Sequence, residues 1–252
     1  MQYSCGYWKD ATDLNTAQVN KMKLIATKLM LKPGMTVLDL GCGFGGLAKF
    51  LAENYGVSVV GCTISAEQVK FGQRLCQGLP VTFELCDYQK LDLNKKFDRI
   101  VSVGFMEHVG FHNYRTLYKI ADKYMEDDGL FVLHTMGRNS STSPGTCKWS
   151  HVYVFPNGWF PKLEDLITQA EDLFVVEDVH NIGANYHPTL VAWEENFKKN
   201  WHKIESKYGE RFYRIWMTYL HGAQGILRSR TVHVYQMVYA KKGILGGYNA
   251  PR

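Results

Sequence analysis

The stretch "TVLDLGCGFGGLAKFL", Thr36–Leu51, decides the fold. Thr36–Leu40 is an apolar run broken only by Asp39, the pattern of a strand covered on both faces. Gly41, Gly43 and Gly46 follow, and the apolar residues then resume at helical spacing. Glycines after a strand let the backbone approach a ligand closely, and a helix that starts near Gly46 offers it unpaired N–H groups. The three glycines also satisfy G-x-G-x-x-G, the dinucleotide fingerprint.

Two neighbouring features argue against a nicotinamide dinucleotide. Asp39 stands two residues before Gly41, giving D-x-G-x-G, with an acid suited to contact near the loop as S-adenosylmethionine sites use it. A dinucleotide site also wants an acid about 20 residues on, for the ribose. That strand end reads "VVGCTISAEQ", 59–68, where Thr63, Ser65 and Gln68 offer hydroxyl and amide groups and no acid precedes Glu67. At the next strand end, "ELCDYQ", 84–89, Asp87 can accept the adenine amino group and Tyr88 can stack on the ring. Asp87 is equally suited to capping a helix. S-adenosylmethionine is the expected cofactor.

Outward from this loop, residues 14–31 carry apolar side chains at helical spacing, and "KPGM" ends the helix. Strands are expected at Thr36–Leu40, Ser58–Cys62, Thr82–Leu85, Arg99–Val103 and Leu130–Thr135. Helical stretches at 46–54, 65–77, 88–93 and 111–125 alternate with them, and a turn is expected at "EDDG", 126–129. This alternation predicts a doubly wound, mostly parallel sheet, with the cofactor-binding core over about 14–137. "GRNSSTSPGTCKW", 137–149, reads as a long loop of the kind that binds or covers ligands. Helical material rich in Trp, Tyr and Phe follows at about 161–172 and 188–229, so 138–230 is expected to form a substrate-side cap over the sheet's carboxyl edge. "HVYQMVYAKK", 233–242, closes the chain's pattern as a strand.

Composition bounds the function. The 252 residues, 46% hydrophobic and 21% charged, suit one large α/β domain. No apolar run reaches the roughly 18 residues of a membrane span, and "MQYSCGYWKD" lacks a signal peptide's apolar core. Cysteines 5, 42, 62, 76, 86 and 147 show no zinc-like pairing, so no metal site and reduced thiols in the cytoplasm are expected. A net charge of +5 permits weak attraction to anionic lipid. There is no lysine-rich tract or RNA-binding aromatic signature, so nucleic acid is not an expected partner.

A second constellation follows the fourth strand. In "SVGFMEHVG", 102–110, Glu107 and His108 are adjacent, so on a helix only one faces the site. "LHTMG", 133–137, puts His134 near the end of the fifth strand. Taken singly, Glu107 could be a surface or capping acid and His134 a satisfied core residue. Two titratable groups converging on one sheet edge favour a functional site.

Seven segments occur in order: "YSCGYW" at 3–8, "LDLGCGFGGL", "VVGCTISAEQ", "DRIVSVGFMEHVG", "LHTMG", "YVFPNG" and "NIGANYHPTLVAW". Together they resemble the catalytic domain of bacterial-type cyclopropane-fatty-acid synthases and, less closely, the mycolic acid cyclopropane synthases, over nearly the whole chain. The resemblance implies a class I S-adenosylmethionine-dependent methyltransferase fold with a helical, aromatic-rich lipid-binding cap. It implies transfer of a methylene group to a cis double bond of a phospholipid acyl chain, with bicarbonate as the base. By position, Cys5, Glu107, His134 and Tyr186 would cage the bicarbonate. Tyr3, Ser4, Gly41, Cys42, Gly43, Thr63, Gln68, Asp87 and Tyr88 would hold the cofactor, joined by the Asp39 already read from the D-x-G-x-G loop. It further implies a cytoplasmic protein, peripheral at a membrane surface, and leaves a homodimer open. Family members usually carry an additional N-terminal lipid-binding and dimerising segment, which this sequence is expected to lack. Where some relatives have a cysteine in the helix matching "TYLHGAQGILRSR", this chain has Ala223, so covalent catalysis from that position is not expected. The alternative within the class is C- or N-methylation without ring closure. A non-catalytic lipid carrier is the alternative outside it, disfavoured by the glycine loop.

Overall fold

The computed structural model describes residues 2–140 and 147–252. Its centre is a sheet in the order β3-β2-β1-β4-β5-β7-β6. The strands are β1 (Thr36–Leu40), β2 (Ser58–Thr63), β3 (Val81–Leu85), β4 (Phe97–Val103), β5 (Met125–Gly137), β6 (Val175–Asn181) and β7 (His233–Ala240). The first five are parallel, and β7 runs antiparallel to both β5 and β6. The chain runs outward through β1, β2 and β3, then returns to lay β4 beside β1. Strand order therefore reverses between β1 and β4, and their carboxyl ends frame the crevice where doubly wound sheets bind ligands.

The helices are α1 (Leu14–Lys28), α2 (Gly46–Tyr55), α3 (Ala66–Leu75), α4 (Met106–Val109), α5 (Tyr114–Tyr124), α6 (Lys148–Tyr153), α7 (Leu163–Thr168), α8 (Tyr186–Asn200) and α9 (Glu205–Arg228). Apolar side chains of α1 and α2 cover one sheet face, packing Ile25, Leu29, Leu47 and Leu51 on Val37, Val59 and Val132. On the other face Leu117, Tyr118 and Ala121 of α5, with Leu166 of α7, cover Ile100, Phe131 and Tyr239. A third cluster joins Cys5 of the N-terminal strap to Tyr186 and Leu190 of α8, Met217 and Leu220 of α9 and Val234 of β7. This cluster roofs the carboxyl edge. It is lined by an aromatic array in which Tyr3 stacks on Trp193 at 4.8 Å and Phe155 meets Tyr219 edge-on at 5.5 Å.

The sheet differs from expectation in three places. Residues 175–181 lie in the segment expected to be all cap, yet they form β6, the outer strand. At 126–129 the expected turn survives as a bulge: Phe97 pairs with Met125 and Arg99 with Leu130, leaving four residues outside the ladder. The helix expected at 88–93 is only a single 3₁₀ turn, Tyr88–Lys90. Of the long loop at 137–149, residues 141–146 lie outside the described residues.

Candidate active site

The glycine loop sits at the sheet's switch point. Gly41, Gly43 and Gly45 have φ of +79°, +55° and +78°, a region that costs a side-chain-bearing residue strain. At Gly41 space is also decisive, because a Cβ there would come within 2.5 Å of the Phe105 ring, delivered by the end of β4. The loop is pinned to β2 by the N–H groups of Gly41 and Cys42, which donate to the Cys62 carbonyl at 3.0 and 3.1 Å. No side chain caps α2, whose N-cap is Gly45, so its first-turn N–H groups are left for a ligand. Below the loop Asp39 is 2% exposed, and its Oδ2 has no hydrogen-bond partner.

Along β2, the Thr63 hydroxyl donates to Gln68 Oε1 at 2.6 Å and accepts the Ser65 N–H. These residues form one polar corner at the strand end. Asp87 takes the capping geometry, accepting the Gln89 N–H at 3.0 Å, and remains exposed at the strand edge. Tyr88 is buried in the core, edge-on to Phe105 at 5.4 Å. Tyr3 and Ser4 arrive from the N-terminal strap. The Tyr3 hydroxyl donates to that of Tyr219 at 3.2 Å, and the Ser4 carbonyl accepts from Gln18 Nε2 at 2.8 Å.

Of the four residues that the resemblance assigns to the anion cage, Cys5 and Tyr186 lie in the third cluster, while Glu107 stands just past the end of β4 and His134 near the end of β5. Of the adjacent pair, Glu107 turns inward and His108 outward. Glu107 Oε1 accepts the Met136 N–H at 2.7 Å, while Oε2 is buried without a partner. Burial drives this carboxyl up to about 7, against the lowering effect of the Met136 N–H. Met136 packs on the cluster that holds Cys5 and Tyr186. His134, two residues earlier on β5, projects from the same strand face as Met136. It lies opposite Gln236 of β7, whose Nε2 is 3.2 Å from the ring Nδ1. With the amide donating, Nδ1 accepts and the ring proton resides on Nε2. Burial, then the charges of Lys21 and Lys28, depress His134 to about 3, so the ring stays neutral at physiological pH. Burial holds the Cys5 thiol and the Tyr186 phenol far above their ordinary values, so both keep their protons. The charges of Cys5, Tyr3 and Glu107 also bear on Tyr186, as expected for groups in one neighbourhood. Cys5, whose thiol donates to the Gly6 carbonyl at 3.2 Å, His134 and Tyr186 thus keep their protons, while one Glu107 oxygen has no partner.

Sequence reasoning missed Lys21, which is fully buried in α1, with Nζ donating to Gln2 Oε1 and, at 3.0 Å, to Ser4 Oγ. A signal was present, since Gln18, Lys21, Leu24, Ile25 and Lys28 recur at the spacing of one helical face. Gln236 was also missed; only pairing with β5 reveals its place. None of the six cysteines forms a disulfide.

The model of the mycolic acid cyclopropane synthetase family matches residues 1–237. The cyclopropane-fatty-acyl-phospholipid synthase of Escherichia coli K12 is 49% identical over 252 residues, covering all of this chain, which spans 65% of that relative's length. Among solved structures, the cyclopropane synthase MmaA2 from Mycobacterium tuberculosis superposes with a TM-score of 0.89 at 29% identity, over 95% of this chain and 90% of that one. Mycolic acid cyclopropane synthase CmaA1, complexed with SAH and CTAB, superposes with a TM-score of 0.87 at 30% identity, over 94% and 89% of the two chains. With a family model spanning all but the last strand's end and the tail beyond it, this chain belongs to the mycolic acid cyclopropane synthetase family.

Proposed function

We propose that this chain transfers a methylene group from S-adenosylmethionine to the cis double bond of a phospholipid acyl chain, closing a cyclopropane ring with bicarbonate as general base. The observation that carries the reading is the inward Glu107, tied by one oxygen and bare at the other, whose charge is felt by a Tyr186 that keeps its proton. That set complements a small anion bearing one O–H. Neutral His134 offers Nε2–H, while Cys5 and Tyr186 offer S–H and O–H. The bare Glu107 oxygen accepts the anion's own hydroxyl, which removes the repulsion two facing anions would otherwise suffer. The glycine loop and the orphaned Asp39 oxygen fit S-adenosylmethionine in the same way: a close-approach backbone, free N–H groups and a buried acceptor.

When bound, S-adenosylmethionine supplies an electrophilic methyl carbon, and bicarbonate supplies a base that takes a proton from it once it has joined the chain. The residues do the rest. An alkene is a weak nucleophile, and its attack leaves a cation on the acyl chain that water would quench. Tyr3, Trp193, Trp216 and Tyr219 present electron-rich faces and exclude water from the edge where Glu107 and Tyr186 lie. Cys5, His134 and Tyr186 hold the base by hydrogen bonds, and Glu107 orients it. Ala223 packs on the third cluster and carries no nucleophile.

The names of the Escherichia coli and mycobacterial relatives support the reading, as does the SAH bound to one of them. A second reading, methylation without ring closure, is favoured by a probable fatty acid methyltransferase of Pseudomonas putida, 34% identical over 264 residues. The lipid substrate would bring the chain to a membrane surface on the cytoplasmic side, and a homodimer is compatible with it. Incubation with unsaturated phospholipid vesicles and labelled S-adenosylmethionine tests the assignment. A lipid heavier by CH2 with its alkene retained would replace ring closure by methylation, and no labelled lipid would sink both.

A further inference from the structure

We propose that Lys21 is a positioning residue that clamps the N-terminal strap over the cofactor loop and supplies the positive charge that balances Asp39. The inference rests on S-adenosylmethionine binding at this loop. A lysine buried this completely needs partners, because an ammonium stripped of water is costly unless it is hydrogen-bonded. Lys21 finds them on two sides. Its Nζ donates to Gln2 Oε1 and Ser4 Oγ, the strap residues that flank Tyr3, and one helical turn away Gln18 donates to the Ser4 carbonyl. The strap is thereby held from below at Ser4, between Tyr3 on the aromatic array and Cys5 in the third cluster. On its inner side the charge of Lys21 acts on Asp39, Cys5 and His134.

Asp39 is the reason the charge matters. Its Oδ2 is buried and orphaned, which leaves an acceptor without a donor beside the glycine loop. Burial raises its carboxyl and Lys21 opposes that rise. Burial lowers Lys21, and the charges of Cys5 and Asp39 oppose that fall. The other titratable groups that feel Asp39 are the thiols of Cys42 in the loop and Cys62 on β2, both kept protonated by burial. Lys21 is thus the cation that opposes the rise of the Asp39 carboxyl, which burial still takes up to about 7, and the same ammonium, itself brought down to about 7 by burial, holds the strap at Ser4.

Calorimetric titration of S-adenosylmethionine from pH 6 to 9 tests this in wild type, Lys21→Met, Asp39→Asn and the double variant. Wild-type affinity should weaken as the pH falls and Asp39 protonates. Lys21→Met should bind at least tenfold more weakly at neutral pH, with its midpoint moved to higher pH by a unit or more. In the Asp39→Asn background the loss of affinity toward low pH should disappear, leaving only what the titration of Lys21 itself contributes, and the Lys21→Met effect should shrink, the signature of coupled sites. The double variant leaves neither charge buried alone, so where Lys21→Met fails to fold its comparison with Asp39→Asn still reads the strap by amide exchange. Amide exchange in the ligand-free chain reads the clamp separately: the Gly6 and Tyr7 N–H groups, bonded to Thr189 Oγ1 and the Ala17 carbonyl, should exchange at least tenfold faster without Lys21. An unshifted midpoint, strictly additive losses or unchanged exchange would overturn the proposal. A wild-type chain that binds no S-adenosylmethionine would refute the functional reading instead, with the exchange result still deciding the clamp.

Discussion

Glu107 is asked to be two things at once, a buried acid and an ionised acceptor, and the two demands conflict. Its carboxyl rises from 4.5 to about 7 because burial strips it of water, at a cost greater than its hydrogen bonds, the Met136 N–H first among them, can offset. A carboxyl raised on folding adds stability below its unfolded value and loses it as the pH climbs through the folded one. Glu107→Gln should therefore melt higher than wild type at pH 8, by roughly 1–3 kcal/mol, and gain less at pH 5. The same variant should lose at least about 100-fold in turnover, the scale of a general-base contribution, while its affinity for S-adenosylmethionine stays within about threefold. His134→Ala should behave alike in turnover and affinity. Equal loss of cofactor affinity in both variants would contradict the roles given to them. Wild-type turnover should rise with pH through about 7 as Glu107 ionises. At this scale the sequence was informative where chemistry follows topology: Glu107 and His134 stand at strand ends of a doubly wound sheet. Cys5 and Tyr186, 181 positions apart in the numbering, were legible only through resemblance. Taken alone, each is a side chain that cores bury routinely.

The elements were legible in proportion to how apolar they are. β1, β2 and β4 are covered on both faces, so their apolar runs announced them. β6 did not, because its pattern is inverted. Val175 and Val179 face solvent, while Asp178 is buried between Lys28 of α1, at 3.0 Å, and Arg252, at 2.6 Å. An inward charge on an outer strand hides the strand from a hydrophobic reading and also discourages edge-to-edge pairing. Lys28 is fully buried, with His180 Nδ1 at 3.2 Å as a second partner, so Asp178→Asn should remove the counter-charge of a buried ammonium and cost roughly 3–5 kcal/mol, read as a lowered melting temperature. Asp178 is held below its ordinary value by Arg252 and Lys28 against its own burial, so its contribution is present near neutrality and lost under acid conditions. At the other end of the sheet, Gly41→Ala should combine φ of +79° with a 2.5 Å approach to Phe105. The backbone alone costs about 1–2 kcal/mol. The displaced loop should lose measurable S-adenosylmethionine affinity by calorimetry.

Across the whole molecule, the glycine loop lies on one side of the carboxyl edge and the aromatic array on the other, and the strap at residues 2–8 joins the two sides. It reaches Lys21 through Gln2 and Ser4, the aromatic array through Tyr3, and Asn185 and Thr189 of the cap through Trp8. No helix among the described residues is long and apolar enough to cross a membrane. The net charge of +5 predicts that vesicle binding strengthens with anionic lipid and weakens with added salt. Cosedimentation at low and high ionic strength checks this. The most direct measurement is product formation from unsaturated phospholipid and S-adenosylmethionine, comparing buffer stripped of carbon dioxide with the same buffer plus bicarbonate. Cyclopropane lipid that forms with bicarbonate and falls at least tenfold without it is the predicted result. Ring closure at full rate in stripped buffer would contradict the anion-held base at Cys5, Glu107, His134 and Tyr186.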